Sequence, residues 1–258
     1  MPLPLSIAIV CKNSGPTIGR TLASVAPFAS EIVALDSGST DNTLSQIEGF
    51  GSVVSVKIHK VDWMGHVKTK QACLEACGQP WVLSLDSDES LEPALQASVQ
   101  AAIQRDDPAH HGYRLNRKVW YRGRFLEHAW QPEWRLRLVR RGKAHWRGFD
   151  PPDQLVLDNG NIASTIGTLS GDLRHDSIDP TFIAFMAKQV RYGELSAMGM
   201  HARGDRGSYW RLLTSPAGSF IKQMVLKQAY RDGWRGWLAA ASTATAAAAK
   251  HAALIEMS

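Results

Sequence analysis

The chain has 258 residues, of which 44% are hydrophobic and 21% are charged, a composition typical of a globular protein with one or two domains. No apolar run reaches the roughly 18 residues that a membrane-spanning helix needs, and we expect no signal peptide. The three cysteines are interpreted as small core residues in a reducing cytoplasm, because they fit neither a disulfide framework nor a zinc site. The net charge of +5 favours an anionic partner, such as a nucleotide, a phosphorylated glycolipid, a membrane surface or nucleic acid.

Strand and helix patterns alternate along the first part of the chain, up to residue 105. Short apolar runs rich in β-branched residues predict strands at Leu5–Cys11, Glu31–Asp36, Val53–Ile58 and Trp81–Asp86. The intervening segments predict helices capped by Thr17, begun by Leu44–Ile47, and spanning Val67–Cys77 and Leu91–Gln104. This alternation with short loops is typical of an α/β fold with a doubly wound, mostly parallel sheet.

The pattern changes after residue 105. Residues 106–150 are rich in Arg and Trp, and we predict short antiparallel strands there at Tyr113–Trp120, Arg135–Arg140 and Ala144–Trp146. A further short strand is predicted at Asp172–Asp176. From Pro180 onwards the chain is predicted to be helical, with breaks near Arg203–Ser208 and Asp232–Gly233. The Ala-rich residues 239–253 favour helix over disorder because alanine has the highest helix propensity.

The segment Trp81–Glu89 is the most informative, because its apolar run stops at two carboxylates, Asp86 and Asp88. These acids come at the C-terminal end of a buried strand, which is where open α/β sheets bind ligands. Two oxygen ligands there can hold Mg²⁺ or Mn²⁺, and the cation can neutralise a diphosphate. Alternatively, the two acids only stabilise the N-terminus of the next helix.

Three segments, Leu5–Asn13, Glu31–Thr43 and Trp81–Glu89, together resemble the family 2 glycosyltransferases with the GT-A fold. The run Asp36–Thr43 is the most specific of these matches, and Leu83–Glu89 matches the metal-binding DxD motif of the family, with Ser in place of the usual Ala. Within the family, the chain is most similar to lipopolysaccharide core-biosynthesis glycosyltransferases of Gram-negative bacteria.

The resemblance implies an inverting transfer of a sugar from a nucleotide-sugar, UDP-hexose being the first expectation, to a lipopolysaccharide core or another glycolipid or saccharide acceptor. It also implies a Rossmann-like GT-A catalytic domain over residues 1–178. Its nucleotide-sugar half would span 1–110 and its acceptor half 111–178. A C-terminal helical region over 179–258 would follow.

The donor site implied by the resemblance lies at the carboxyl ends of the strands. Asp86 and Asp88 are expected to hold the metal, and Asp86 also to face the ribose. Asp36 is expected to accept a hydrogen bond from the base, uracil by resemblance; alternatively it caps the turn that follows it. The same edge carries three more candidate donor-binding residues, Lys12, Asn13 and Ser37. Of these, Lys12 can also be read as a solvated charge.

An inverting transfer needs one base that takes the proton of the acceptor hydroxyl. In the family this base is a carboxylate downstream of the DxD motif, which points to Gly148–Leu155. Asp153 is the first choice, because relatives carry a His before the acid and Pro152 stands there, and Asp150 is the second. Alternatively, either acid only starts a turn beside the prolines.

Two further residues are candidates. His175 ends a predicted strand, and the resemblance implies that it is a metal ligand; the alternative is an ordinary polar residue. The run Trp134–Arg141 alternates charged and apolar residues, so its arginines share one face of a strand. Arg137 is therefore predicted to bind a phosphate of donor or acceptor, the alternative being a solvated face. The Lys68-Thr69-Lys70 run departs from the basic residue and Asn of the family, so no role is assigned there.

Three other classes of function were compatible with parts of the sequence. A metal-dependent nucleotidyltransferase would require a glycine-rich phosphate loop, which Lys12–Gly15 is not. The Arg and Trp residues between 117 and 147 would suit a basic nucleic-acid-binding protein, but no motif of that class occurs, so we expect no nucleic-acid partner. A catalytically silent relative is the third, and the intact Asp86/Asp88 pair argues against it.

The last part of the chain, residues 180–258, combines aromatic residues with many lysines and arginines. Basic helices with aromatic residues can lie in the plane of an anionic membrane surface. A glycolipid acceptor in the inner membrane would require the enzyme there, so we predict a cytoplasmic protein that is peripheral on the inner membrane. Alternatively, the apolar helix faces pack on the catalytic domain or on a second subunit.

Overall fold

The structure, a computed structural model, describes residues 2–148, 153–177 and 181–258. The chain forms two compact units, and each is described by itself. The first unit comprises the residues up to 117 together with 134–148 and 153–175. The second comprises residues 118–133 and the described residues after 175.

The strands, in chain order, are β1 (Leu5–Cys11), β2 (Glu31–Asp36), β3 (Ser55–Lys60), β4 (Trp81–Asp86), β5 (Glu89–Leu91), β6 (Gly112–Tyr121), β7 (Arg124–Phe125), β8 (Trp134–Arg140), β9 (Ala144–Gly148), β10 (Asp153–Leu157) and β11 (Ile166–His175). The α-helices are α1 (Gly15–Ala23), α2 (Thr43–Gly49), α3 (His66–Glu75), α4 (Pro93–Arg105), α5 (Phe182–His201), α6 (Tyr209–Ile221) and α7 (Trp234–Glu256).

The main sheet has the strand order β3-β2-β1-β4-β8-β6-β11-β5. Strands β3, β2, β1 and β4 are parallel, whereas β8 runs antiparallel to β4 and to β6. β9 and β10 form a separate two-stranded antiparallel sheet. The prediction of a parallel first half followed by antiparallel strands is therefore confirmed.

Strands β1, β2 and β4 are buried on both faces by apolar side chains, which is why their sequences are nearly continuous hydrophobic runs. On one face, Ile7 and Ile9 of β1 pack in one cluster with Ile18 and Leu22 of α1. On the other face, Val33 and Val82 pack with residues of α3 and β9, among them Cys73 and Trp146. All three cysteines are buried and free, as predicted.

Several boundaries differ from the predicted ones. β3 begins at Ser55, two residues later than predicted, because Phe50–Ser52 forms a 3-10 turn and Ser55 pairs with Glu31. α1 begins at Gly15 instead of being capped by Thr17. Its first turn accommodates Pro16, because the first N–H groups of a helix have no partner within the helix and the missing N–H of proline costs nothing there.

Three further elements were shortened, displaced or missed. Leu91 belongs to β5, so α4 starts at Pro93. The strand predicted at Asp172–Asp176 is the end of the longer β11, which begins at Ile166. β10 was not predicted as a strand, because its sequence has no distinctive pattern of its own. In the structure it pairs with β9.

The second unit contains α5, α6, α7 and the β7 turn. The predicted helix breaks are confirmed, because residues 203–208 separate α5 from α6, and α7 begins directly after Gly233. Gly193 lets α5 approach α7 closely, since a Cβ there would lie 2.8 Å from the carbonyl oxygen of Ala246. No helix among the described residues is long and apolar enough to cross a membrane.

The segment 118–133 is fixed to the C-terminal helices within the second unit. The buried carboxylate of Asp232 accepts three backbone hydrogen bonds, from Glu127, His128 and Ala129, at 2.9, 3.0 and 2.8 Å. The side chain of Arg235 also donates to the carbonyl oxygen of Tyr121 at 3.0 Å. These bonds satisfy backbone N–H groups that lie outside the strands of the sheet.

Candidate active site

The parallel register brings the predicted acids to one edge of the sheet. Cys11 of β1 pairs with Asp36 of β2, and Val10 pairs with Asp86 of β4. The carboxyl ends of three neighbouring strands therefore lie side by side, which is the usual ligand-binding edge of an open α/β sheet. This edge holds the candidate site.

Asp36 organises the loop that follows β2. It is only 2% exposed, and its carboxylate accepts hydrogen bonds from the backbone N–H of Gly38 at 3.1 Å and of Ser39 at 3.0 Å, and from the Ser39 hydroxyl. Burial acts to raise the pKa of Asp36, but these hydrogen bonds outweigh it and hold the pKa below its ordinary value. The structure thus shows the turn-capping role, and the contact with a base stays a prediction.

A cavity of about 360 Å³ opens beside Asp36. Its walls combine carboxylates and an ammonium group with the apolar side chains of Leu44 and Val61, a lining that suits a flat heterocycle with polar edges. The lining residues are Asp36, Gly38, Ser39, Leu44, Lys60, Val61 and Asp62.

The three other candidate donor-binding residues lie at the same edge. Asn13 has φ +51°, and its side-chain oxygen accepts a hydrogen bond from the Thr40 N–H at 2.8 Å. Ser37 is buried and donates from its backbone and hydroxyl to the carbonyl oxygen of Cys11. Lys12 is exposed beside them. Asn13 and Ser37 therefore fix the loops around the edge, and contact with a donor stays a prediction for all three.

Asp86 lies in a cluster of opposite charges. Its Oδ1 is 2.6 Å from Lys70 Nζ, and its Oδ2 is 2.8 Å from an Arg137 Nη2 that also lies 2.6 Å from the fully buried Glu89. Arg117 Nη1 is 3.2 Å from Glu89 and 3.8 Å from Asp86. Because each of these charges is wholly or mostly shielded from water, their mutual pairing is what makes the cluster tolerable.

The cluster keeps Asp86 ionised. Burial acts to raise the pKa of Asp86, but Lys70, Arg137 and Arg117 outweigh it and hold that pKa well below its ordinary value. The second oxygen of Glu89 accepts the backbone N–H of Asp86 at 3.0 Å, which fixes the turn between the DxD acids. Arg137 is 4% exposed, so it does not lie on a solvated face, and its binding to a phosphate stays a prediction.

The first-choice base, Asp153, lies next to this cluster. Its Oδ2 is 2.8 Å from the same Lys70 Nζ that contacts Asp86. Burial acts to raise the pKa of Asp153, and Lys70 outweighs that effect, so the pKa of this carboxylate lies below its ordinary value. Its role as the base stays a prediction. The second choice, Asp150, lies outside the described residues.

The structure also brings His175 to the DxD motif. His175 ends β11, where it pairs with Glu89 of β5, and its Nε2 is 3.5 Å from Asp88 Oδ2. The buried Nδ1 of His175 has no hydrogen-bond partner among the described residues. The structure thus places His175 beside Asp88, and its role as a metal ligand stays a prediction.

These residues fit a divalent cation in part. The Asp88 carboxylate and the His175 imidazole are donors that Mn²⁺ accepts and lie together, whereas the Asp86 carboxylate is held by Lys70 and Arg137. Within the described part of the chain, no group of three or more His, Cys, Asp or Glu side chains has the arrangement of a metal site. Metal binding by Asp86, Asp88 and His175 is thus a proposal.

Sequence reasoning missed three members of the site, Lys70, Glu89 and Arg117. A signal for Lys70 was present, because it precedes the buried Cys73, Leu74 and Cys77 by three, four and seven residues and so lies on the inward face of α3. Glu89 and Arg117 had no such signal, since the oppositely charged residues that they pair with are distant in sequence.

Comparisons with known proteins give the family. The family model described as glycosyl transferase family 2 matches residues 6–158. The lipopolysaccharide core biosynthesis glycosyltransferase LpsC of Rhizobium meliloti (strain 1021) is 28% identical over 245 residues, covering 92% of this chain and 87% of LpsC. An uncharacterized glycosyltransferase of Rickettsia bellii (strain RML369-C) is 26% identical over 241 residues, covering 91% and 80% of the two chains.

A solved structure shows the same fold. Residues 1–349 of S. aureus TarS, in complex with UDP-GlcNAc, superpose with a TM-score of 0.50 at 16% identity, covering 95% of this chain and 90% of the TarS chain. At that identity the likeness speaks for the fold alone, and the predicted GT-A fold is confirmed. Because the family model matches more than half of the 258 residues, the chain belongs to glycosyl transferase family 2.

Proposed function

We propose that this glycosyltransferase transfers a hexose, with inversion, from UDP-hexose to a lipopolysaccharide core or a related glycolipid, and that its catalytic part spans residues 1–178. One observation carries the proposal: the candidate base Asp153 and the DxD residue Asp86 contact the same ammonium group, that of Lys70, at the sheet edge where a donor would bind. A general base must lie close to the reacting sugar, and the position of Asp153 next to Asp86 supports that role.

On the donor side, we assign the uracil ring to the cavity beside Asp36. The diphosphate is assigned to the part of the sheet edge that carries Asp86 and Asp88. The UDP-GlcNAc complex of TarS supports a UDP-sugar as donor. Asp86, Asp88 and His175 are the residues proposed to hold Mg²⁺ or Mn²⁺. When bound, the cation would neutralise charge on the leaving diphosphate.

On the acceptor side, Asp153 removes the proton of the acceptor hydroxyl. The oxygen forms a bond to the anomeric carbon from the face opposite to the leaving group, while the bond between that carbon and the UDP oxygen breaks and its electrons leave with UDP. Arg117 and Arg137 supply positive charge at the same edge, and preorganised charge of this kind stabilises a developing anion. The similarity to LpsC supports a lipopolysaccharide core acceptor.

A nucleotide-sugar screen tests the proposed activity. The melting temperature would be measured with UDP-glucose, UDP-GlcNAc, UDP-galactose and GDP-mannose, and with nucleoside triphosphates for comparison, each with and without Mn²⁺, followed by assays of UDP or GDP release. We expect stabilisation and slow donor hydrolysis with a UDP-hexose in the presence of Mn²⁺, because a ligand that binds only the folded state raises the melting temperature. Binding of nucleoside triphosphates in preference to all four sugars would favour a nucleotidyltransferase instead.

The second unit supports a proposed attachment to an anionic membrane. Between Arg206 and Arg231 the chain has five basic residues and no acidic one. α6 has no buried residue, and Trp210 and Leu213 are 73% and 72% exposed. A helix with exposed aromatic and aliphatic side chains, in a stretch of chain whose charged residues are all basic, suits the interface of an anionic leaflet. We therefore propose a cytoplasmic enzyme that is peripheral on the inner membrane.

Vesicle co-sedimentation tests this attachment. The full chain is expected to bind vesicles containing anionic lipid, to bind neutral vesicles less, and to be released by salt, because charge attraction is screened. The double variant Trp210→Ser with Leu213→Ser should lose binding, whereas Ile183→Ser, which removes an equally exposed apolar side chain from α5, should retain it. Equal loss in both variants, or no binding by the full chain, would refute an α6-based attachment.

A further inference from the structure

Lys70 connects three elements of the first unit. Its ammonium group projects from α3 and lies 2.6 Å from Asp86, at the end of β4, and 2.8 Å from Asp153, at the start of β10. The side chain is 12% exposed and its ammonium group lies 4.6 Å from the centre of the Trp146 ring in β9. The next residue, Gln71, accepts the Trp146 backbone N–H at 2.8 Å.

These contacts have a mechanical consequence. Asp86 belongs to the main sheet, whereas Asp153 belongs to the separate β9–β10 sheet, so no ladder of backbone hydrogen bonds sets the distance between them. Two ionised carboxylates on separate elements also repel each other in a poorly solvated site. An ammonium group with three donors can bond to both and hold them at a fixed separation.

We infer that Lys70 is a positioning residue, which holds the base Asp153 in place relative to the donor site through its bridge to Asp86. The inference rests on the proposed function, because it assigns a role to Lys70 in that reaction. It makes Lys70 act through Asp153, in contrast to a lysine that contacts the donor phosphates or one that only supports the fold. Lys70→Met keeps most of the length of the side chain and removes the bridge, whereas Lys70→Arg keeps the charge.

A double-mutant cycle tests the coupling of the two residues. The rate of UDP release from UDP-GlcNAc or UDP-glucose, whichever the wild type hydrolyses faster, would be measured for Lys70→Met, Asp153→Asn and the double variant. We expect Lys70→Met to lower kcat roughly 10²-fold, the loss that a misplaced catalytic group can cause. In the Asp153→Asn background the same change should cause no further loss, because the group that Lys70 positions is already disabled.

Three companion measurements separate this role from the others. Calorimetry should show that Lys70→Met leaves the Kd of UDP with Mn²⁺ nearly unchanged, and Lys70→Arg should restore part of kcat. Lys68→Met, on an exposed position of the same helix, is the matched control and should behave as the wild type. The melting temperature of each variant confirms that it is folded.

The outcomes are distinguishable. If the wild type hydrolyses the donor and Lys70→Met is fully active, the positioning role is overturned and the proposed function stays intact. The same holds if Lys70→Met lowers kcat by as much in the Asp153→Asn background as in the wild type. Weakened UDP binding with unchanged kcat overturns it in favour of a donor-phosphate contact. A wild type that turns over no UDP-sugar contradicts the proposed function and this inference with it.

Discussion

Asp153→Asn is expected to lower donor turnover by roughly 10²–10⁴-fold, the usual contribution of a general base. An amide cannot take a proton from an acceptor hydroxyl or from water, although it is nearly the same shape and its oxygen can still accept a hydrogen bond from Lys70. The change should therefore leave the fold and UDP binding nearly intact. This separation of kcat from binding is what identifies a residue that acts only in the transition state.

The measurement is the initial rate of UDP release, with calorimetry of UDP as the check on binding. Asp158→Asn is the matched control, because Asp158 follows β10, is 53% exposed and pairs only with His145, at 2.6 Å, among its described ion pairs. It should have near wild-type activity. If Asp150→Asn loses activity and Asp153→Asn does not, the base has been assigned to the wrong carboxylate.

The parts of the site that could be predicted from the sequence are those set by local pattern. β1, β2 and β4 have the predicted boundaries because each is a buried apolar run that ends at, or just before, a polar residue. Once these strands are taken as parallel neighbours, their carboxyl ends must lie along one edge, so the placement of Asp36 and Asp86 at the same edge follows from the pattern.

The parts that could not be predicted depend on pairing between distant segments. Arg137 alternates with apolar residues in β8, and the sequence alone cannot tell whether it faces water or, as in the structure, Asp86 and Glu89, 51 and 48 residues away. The bridge from Lys70 to Asp153 spans 83 residues and exists because α3 packs on the β9–β10 sheet. In the second unit, Asp232 reaches a turn 104 residues earlier in the same way.

UDP binding is expected to require a divalent cation that Asp88 helps to hold. The Asp86 cluster with Asp153 contains three carboxylates, from Asp86, Glu89 and Asp153, and three cations, so it is already close to neutral without a ligand. A diphosphate would add negative charge to that edge and would be disfavoured there. A cation bound by Asp88 and His175, 3.5 Å apart, would offset the added charge.

Calorimetry of UDP with wild type and Asp88→Ala, each with and without Mn²⁺, tests this dependence. Removing a residue that only hydrogen-bonds to a metal ligand typically lowers metal affinity about 10–100-fold. Because Asp88 is a proposed ligand itself, we expect Asp88→Ala to weaken Mn²⁺-dependent UDP binding by about tenfold or more. Glu92→Ala is the matched control, because Glu92 precedes α4 and makes no capping hydrogen bond with its side chain. It should bind UDP as the wild type does. Equal UDP affinity in the four titrations of wild type and Asp88→Ala would exclude a metal site at the DxD motif, and the cations of Lys70, Arg117 and Arg137 would then have to hold the diphosphate without a metal.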